Sequence, residues 1–249
     1  MGIWFAEIAM SLIAIKSAVV EMDELMLRIR KKLLHLRLQP IRVFCFHQVS
    51  DVFDPETMWE CDFMPMEQFK NKVMSLREQY TFISLTEAHH HIANDKVRTK
   101  KYAVLTIDDA GDCIVQLMPW LADLRIPITL FVPPAFVLGE VKNHRYGRSL
   151  TKVVLDELLQ KYPSLISLGN HGWNHVACSK LSIEEFVNDV TKADQFLDKY
   201  HQNTPFYAYP FGRCSWKNDG LLWNMHKIPV YVDGMKNYND AQRIHRELL

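Results

Sequence analysis

Two short clusters of side chains suited to metal binding and proton transfer occur in this sequence of 249 residues. Asp108 and Asp109 are adjacent and follow an apolar run, and His171 and His175 lie four residues apart after another. On a helical turn, that spacing would place both imidazoles on one face, close enough to share an ion. Two imidazoles and one carboxylate leave coordination positions open for water and substrate. The pattern predicts a hydrolytic metal site, although each cluster taken separately also fits a solvated surface turn.

The two clusters can meet only if the fold brings them to one place. From residue 41 onward, short apolar strands alternate with amphipathic helices, which indicates parallel strands joined by helical crossovers. Seven strands suit a barrel, and active sites of such barrels lie at the carboxyl ends of the strands. The predicted strands are 42–46, 81–84, 102–107, 128–132, 165–168, 206–209 and 229–232, and the predicted helices are 66–79, 86–93, 114–124, 151–161, 183–200 and 216–226.

Composition excludes several other classes of protein. The 29 basic and 29 acidic residues give a formal net charge of zero, whereas nucleic-acid-binding domains usually have a pI above about 9. We therefore expect no nucleic-acid partner. The sequence contains no glycine-rich phosphate-binding motif, which argues against a nucleotide site. The five cysteines are odd in number and form no CxxC pair, which argues against a disulfide scaffold and favours a reducing compartment; they are Cys45, Cys61, Cys113, Cys178 and Cys214.

The first 40 residues are predicted to form a helical extension, with the barrel domain spanning residues 41–249. Glu7 and Lys16 interrupt the apolar stretch near the start, so this stretch is a poor signal peptide and a poor membrane span. Residues 22–38 form a basic amphipathic pattern, and Met22 is an alternative start of the natural chain. Two interpretations of this pattern stay open: a helix packed on the domain, or a peripheral helix on an anionic membrane surface. We expect a cytoplasmic protein, with membrane association as the alternative.

Three motifs, in order, resemble those of the polysaccharide deacetylases, the NodB-homology group that forms carbohydrate esterase family four. Each motif also departs from the family pattern at one position, where Ala110 replaces Gly, Gly172 replaces Ser or Thr, and Ala208 replaces Arg. The entry strand is similar to that of the branch acting on poly-N-acetylglucosamine. The matching segments are Thr106-Ile107-Asp108-Asp109, His171 with His175, Pro210-Phe211, and the entry strand Val43-Phe44-Cys45-Phe46-His47.

The resemblance implies a distorted (β/α)₇ barrel and a role for each matching residue. Asp109, His171 and His175 would hold a divalent ion, with zinc preferred. This ion would polarise an acetyl carbonyl and acidify a water molecule. Asp108 would be the general base, and the backbone N–H of Phe211 would stabilise the oxyanion.

The departures bear on the base and on the general acid. In the family, an arginine of the third motif orients the base, and Ala208 cannot do so. Arg213 lies nearby in sequence and is one substitute, although a surface position suits it as well. The chain stops around where the last strand of the family begins, so we expect the usual acid to be missing from its place. His47 is the first candidate for a pocket acid, and His245 is the second.

The leading hypothesis is a metal-dependent carbohydrate deacetylase that cleaves carbon–nitrogen bonds other than peptide bonds. Its substrate would be an acetylated glycan, a cell-surface polysaccharide or its precursor, with N-acetyl groups preferred over O-acetyl groups. Two alternatives stay open. One is a weak or inactive sugar-binding or assembly protein on the same barrel, and the other is a hydrolase of a different non-peptide amide.

Overall fold

A computed structural model describes residues 22–26, 38–55, 63–141, 148–212 and 216–249. The chain divides into two compact units, one of Met1–Gln39 with Lys96–Thr99 and the other of Pro40–Asp95 with Lys100–Leu249. In the first unit, residues 22–26 are helical and exposed, and Leu38 forms a parallel bridge with Arg98. The rest of the predicted basic helix over 22–38 lies outside the described residues. Within the described part of the chain, no helix has the length and apolar character of a membrane span.

The second unit alternates strands and helices along the described chain. The strands are β1 (Ile41–Phe46), β2 (Gln48–Ser50), β3 (Phe63–Pro65), β4 (Thr81–Phe82), β5 (Tyr102–Ile107), β6 (Ile128–Val132), β7 (Ile166–Asn170), β8 (Asn203–Ala208), β9 (Ile228–Val232) and β10 (Ile244–Leu248). The α-helices are α1 (Met66–Arg77), α2 (Leu85–Asn94), α3 (Ile114–Asp123), α4 (Pro134–Val137), α5 (Lys152–Lys161), α6 (Ile183–Leu197) and α7 (Trp216–Asn224). The six predicted helices are all present, with small differences in their ends.

Seven parallel strands close into a barrel, which confirms the predicted (β/α)₇ fold. Their order is β1-β10-β9-β8-β7-β6-β5, and pairing of β1 with β5 closes the ring. The barrel strands differ from the prediction at one place. The strand predicted over 81–84 is reduced to β4, which pairs with the first two residues of β5 outside the ring. The seventh strand of the ring is instead β10, which pairs with both β1 and β9 and was not among the predicted strands.

The core has an interior cluster within the barrel and outer layers beneath the helices. Apolar residues of the barrel strands fill the interior together with one face of α2. The longest helix, α6, begins with the predicted capping box, in which Ser182 and Glu185 satisfy each other's backbone N–H groups. The interior cluster comprises Ile41, Val43, Leu85, Ala88, Ile92, Val104, Phe131, Phe206, Ala208, Val230 and Ile244. This packed interior leaves the carboxyl ends of the strands to carry polar side chains.

Candidate active site

The two aspartates occupy a left-handed turn at the end of β5. Asp109 has φ of 62° and Ala110 has φ of 49°, a region in which a non-glycine residue costs about 1–2 kcal/mol. Segment 148–150 holds this turn in place, because the Ser149 hydroxyl donates to the Asp109 carbonyl at 3.0 Å and the Leu150 N–H donates to the Ala110 carbonyl at 2.8 Å. The backbone turns after Asp108, and the carboxylates of the two adjacent aspartates therefore face different partners.

The two histidines lie in an irregular loop after β7, not on the expected helical turn. Gly172 has φ of 69° and His175 has φ of 54°, and these left-handed residues break any helical repeat. The loop nevertheless brings both rings to one aspartate. Nε2 of His175 lies 3.1 Å from Oδ1 of Asp109, and Nε2 of His171 lies 3.6 Å from the same oxygen.

The donor set suits a divalent metal ion. One ligand atom from each of Asp109, His171 and His175 lies within 4.8 Å of the other two, and all three residues are buried. His171 Nδ1 lies 2.8 Å from the Ala208 carbonyl, so Nδ1–H donates there and the Nε2 lone pair is left for an ion. Burial lowers the pKa of both imidazoles, which favours the neutral form that binds metals. Two imidazoles and one carboxylate are typical ligands of a catalytic zinc ion.

Asp108 is held by a residue that sequence analysis missed. Nη1 and Nη2 of Arg246, on β10, donate to the two oxygens of Asp108 at 2.6 and 2.8 Å, and both side chains are buried. Burial by itself would raise the pKa of Asp108, but the charge and the hydrogen bonds of Arg246 outweigh it and hold this pKa well below its usual range. Asp108 is therefore a carboxylate at neutral pH, in a fixed orientation.

The guanidinium of Arg246 is fixed in turn by the barrel interior. Nη1 donates to the Thr106 hydroxyl at 3.1 Å, and Cζ lies 5.0 Å from the centre of the Phe131 ring. Phe131 can pack there because Gly169 has no side chain, and a Cβ at that position would overlap the ring. The family motif has an arginine at position 208, where this chain has Ala208. The arginine that contacts Asp108 here is Arg246, on β10. Arg213, the substitute considered from sequence, lies outside the described residues.

A cavity of about 220 Å³ opens onto these groups at the carboxyl end of the barrel. Its lining includes His47, whose Nε2 lies 3.9 Å from Oδ2 of Asp108, and Phe211, whose ring centre lies 4.6 Å from that of His175. Phe211 has φ of 62° within the 3₁₀ turn after β8. The lining residues are His47, Asp108, Asp109, His171, His175, Phe211, Gly212, Val232 and Leu248.

His245, the second acid candidate, does not line this cavity. Strand alternation turns it to the opposite face of β10 from Arg246, where its Nδ1 lies 2.7 Å from Oδ2 of Asp233. The structure therefore brings together six of the residues selected from sequence and adds one. No local pattern marked Arg246, because three consecutive polar residues, His245-Arg246-Glu247, interrupt the apolar residues of β10.

Comparison with known proteins supports the interpretation of the motifs. The family model described as polysaccharide deacetylase matches residues 95–230, which is over half of the chain. No curated protein sequence matches the chain significantly.

Solved structures of low sequence identity share the fold. IcaB from Ammonifex degensii has a TM-score of 0.71 at 19% identity, with 86% of this chain and 93% of that chain covered. The deacetylase PplD from Streptococcus pyogenes, solved in complex with acetate, has a TM-score of 0.71 at 20% identity, with 85% and 93% covered. The deacetylase domain of BpsB from Bordetella bronchiseptica has a TM-score of 0.60 at 14% identity, with 84% and 95% covered. The protein belongs to the polysaccharide deacetylase family.

Proposed function

We propose that this protein is a metal-dependent hydrolase that removes acetyl groups, N-acetyl groups in preference, from a cell-surface polysaccharide or its precursor. The observation that carries the proposal is the convergence of Asp109, His171 and His175 beside an aspartate fixed by Arg246. Family membership supports an acetylated polysaccharide as the class of substrate. Zinc is the preferred ion on the chemistry of the ligands.

The reaction needs a base, an acid and a donor to the oxyanion, and the cavity offers one of each. Asp109, His171 and His175 would hold a divalent ion, which would supply Lewis acidity and acidify a water molecule. Asp108 accepts the proton of the attacking water, and Arg246 keeps this base ionised and oriented. The backbone N–H of Phe211 donates to the oxyanion. The C–N bond of the acetamide then breaks, and His47 donates a proton to the leaving amine as acetate departs.

The alternative of an inactive binding protein depended on two departures from the family pattern. One was the loss of the arginine that orients the base, and the other was the short carboxyl-terminal segment, which put the usual general acid in doubt. Arg246 makes the bidentate contact with Asp108, and β10 completes the ring of strands. The first departure therefore no longer favours the inactive alternative, and for the second we propose His47 as the acid.

The test is acetate release by purified protein stripped of metal and then supplied with zinc. We expect release from N-acetylglucosamine oligomers only after zinc is added, with slower release from an O-acetylated xylan. Asp109→Asn should abolish both zinc binding and release. Asp156→Asn is the matched control, because Asp156 lies on the surface of α5 in an ion pair with Lys152. Acetate release by the stripped protein or by Asp109→Asn at the rate of the zinc-supplied protein would overturn the proposal, and faster release from the xylan would reassign the substrate.

A further inference from the structure

Asp189, on α6, contacts the loop that joins the two histidines. Its Oδ2 accepts the N–H of Trp173 at 2.9 Å, and its Oδ1 accepts the N–H of Asn174 at 3.4 Å. The preceding amide, that of Gly172, donates to Oδ1 of Asn170 at 2.8 Å. Three successive N–H groups between His171 and His175 are therefore bound by two side chains. Hydrogen bonds of backbone amides to a carboxylate are stronger than those between neutral groups.

Gly172 and Asp189 fit together sterically. A Cβ built on Gly172 would lie 2.5 Å from Oδ2 of Asp189, which is closer than real Cβ contacts. The positive φ of Gly172, 69°, further disfavours a side chain there. The family motif has Ser or Thr at this position, and here the Asp189 carboxylate fills the adjacent space. The missing side chain of Gly172 thus leaves room for an acceptor that comes from α6.

The loop is also held through Trp173, whose carbonyl accepts the N–H of Ala135 at 3.1 Å and whose indole N–H donates to Glu140 at 3.2 Å. His171 is anchored through Nδ1 to Ala208, but His175 lies four residues on, with a left-handed φ and no helix or strand between them. Its position therefore depends on the backbone of residues 172–174. The ligand spacing needed by a metal ion tolerates deviations of only about 0.2 Å. A small movement of these amides would thus weaken metal binding.

We propose that Asp189 is a positioning residue that sets the separation of His171 and His175 through the intervening backbone. This inference rests on the metal site of the proposed function. Asp189 acts on the ion only through the loop and neither touches the substrate nor lines the cavity. Asp189→Asn keeps the size of the side chain but replaces one acceptor oxygen with an NH₂ group, which faces a backbone N–H whichever way the amide turns.

The experiment measures zinc affinity by competition with a chromophoric chelator at 20 °C, after circular dichroism shows that each variant is folded. We expect Asp189→Asn to weaken zinc binding by about tenfold to a hundredfold, the range found for groups that orient metal ligands. Glu184→Gln is the matched control, because it removes one negative charge from an exposed site on the same helix. The cobalt-substituted protein provides a second measurement, since its visible spectrum reports ligand geometry and should change in Asp189→Asn.

A double-variant comparison tests the steric part of the inference. Gly172→Ser should weaken zinc binding through overlap with Asp189, and adding Asp189→Ala should make the combined loss smaller than the sum of the two single losses. Unchanged zinc affinity and an unchanged cobalt spectrum in Asp189→Asn would show a role confined to folding and would overturn this inference, leaving the proposed function intact. Failure of the unaltered protein to bind zinc would overturn both.

Discussion

Replacing Arg246 with methionine should destabilise the protein and slow its reaction through one physical cause. The guanidinium makes two short hydrogen bonds to Asp108, and both side chains are buried. Methionine keeps much of the apolar volume of the arginine stem but removes its charge. Asp108 would then be a buried carboxylate without its main counter-charge.

Breaking a buried ion pair by removing one partner costs about 3–5 kcal/mol. At about 1.4 kcal/mol per factor of ten, this lowers the ratio of folded to unfolded protein by roughly a hundredfold to a few thousandfold. Total stabilities of domains are about 5–15 kcal/mol, so the variant can remain folded at low temperature. Arg246 contacts Asp108 but is not among the residues that line the cavity. Its loss should therefore lower kcat, by about a hundredfold or more, with little change in KM.

Urea unfolding of the metal-free protein at 15 °C gives the stability change, and acetate release by the zinc-loaded protein gives the kinetic change. The matched control is Arg42→Met. Arg42 also makes a bidentate pair, with Glu247 at 2.8 and 2.5 Å, but 26% of its side chain is exposed. Its removal should cost no more than about 1–2 kcal/mol, including its contacts with neighbouring aromatic rings, and should leave kcat unchanged.

A double variant tests whether the loss of stability caused by removing one charge depends on the presence of the other. Asp108→Asn and Arg246→Met each remove one charge, whereas the combination removes both. We expect the double variant to be more stable than Arg246→Met, because no unpaired charge stays buried. A double variant destabilised by the full sum of the two single changes would refute this reasoning, as would an Arg246→Met variant no less stable than Arg42→Met.

Three further predictions follow from the same structure. Zinc at about 1,000 times its Kd should stabilise the protein by about 4 kcal/mol in urea unfolding, and Asp109→Asn should abolish this gain. Gly169→Ala should cost about 1–3 kcal/mol in the same assay, because the new methyl group overlaps the Phe131 ring; no loss would show that the ring can move. Burial raises the pKa of the Cys113 thiol to about 12 and that of Cys45 well above its usual value, so at pH 8 both stay protonated. Mass spectrometry after alkylation should find both thiols unmodified in the native protein and modified in urea.

The sequence predicted the residues that lie within short motifs next to apolar strands. Asp108 and Asp109 follow β5, and His171 and His175 follow β7, so each pair could be assigned to a strand end from local pattern. The barrel architecture then predicted that the pairs meet. The turn conformations could not be predicted in this way, because left-handed φ values at Asp109 and His175 are imposed by contacts that are distant in sequence.

Arg246 was missed because nothing local identifies it. It lies 138 residues from Asp108, in a strand where it is the middle one of three consecutive polar residues, and it matches no motif. A buried parallel strand usually reads as a continuous apolar run, and β10 does not. Asp189 was missed for a related reason, since a polar residue on an amphipathic helix normally faces solvent. Both residues act through contacts that only the tertiary structure creates.

Arg246 and Asp108 lie 138 residues apart, a separation that favours late formation of their contact during folding. Asp109 follows β5, and His171 and His175 follow β7, which is separated from β5 only by β6. Arg246 lies on β10, which pairs with β1 although these two strands are almost at opposite ends of the unit's sequence. Contacts of such long range carry a large loop-closure entropy and form late in many proteins. A partly folded chain with β10 undocked would thus hold three metal ligands but lack an oriented base. If the proposed function holds, metal uptake would precede catalytic competence, and closure of the ring by β10 would be the step that completes the active site.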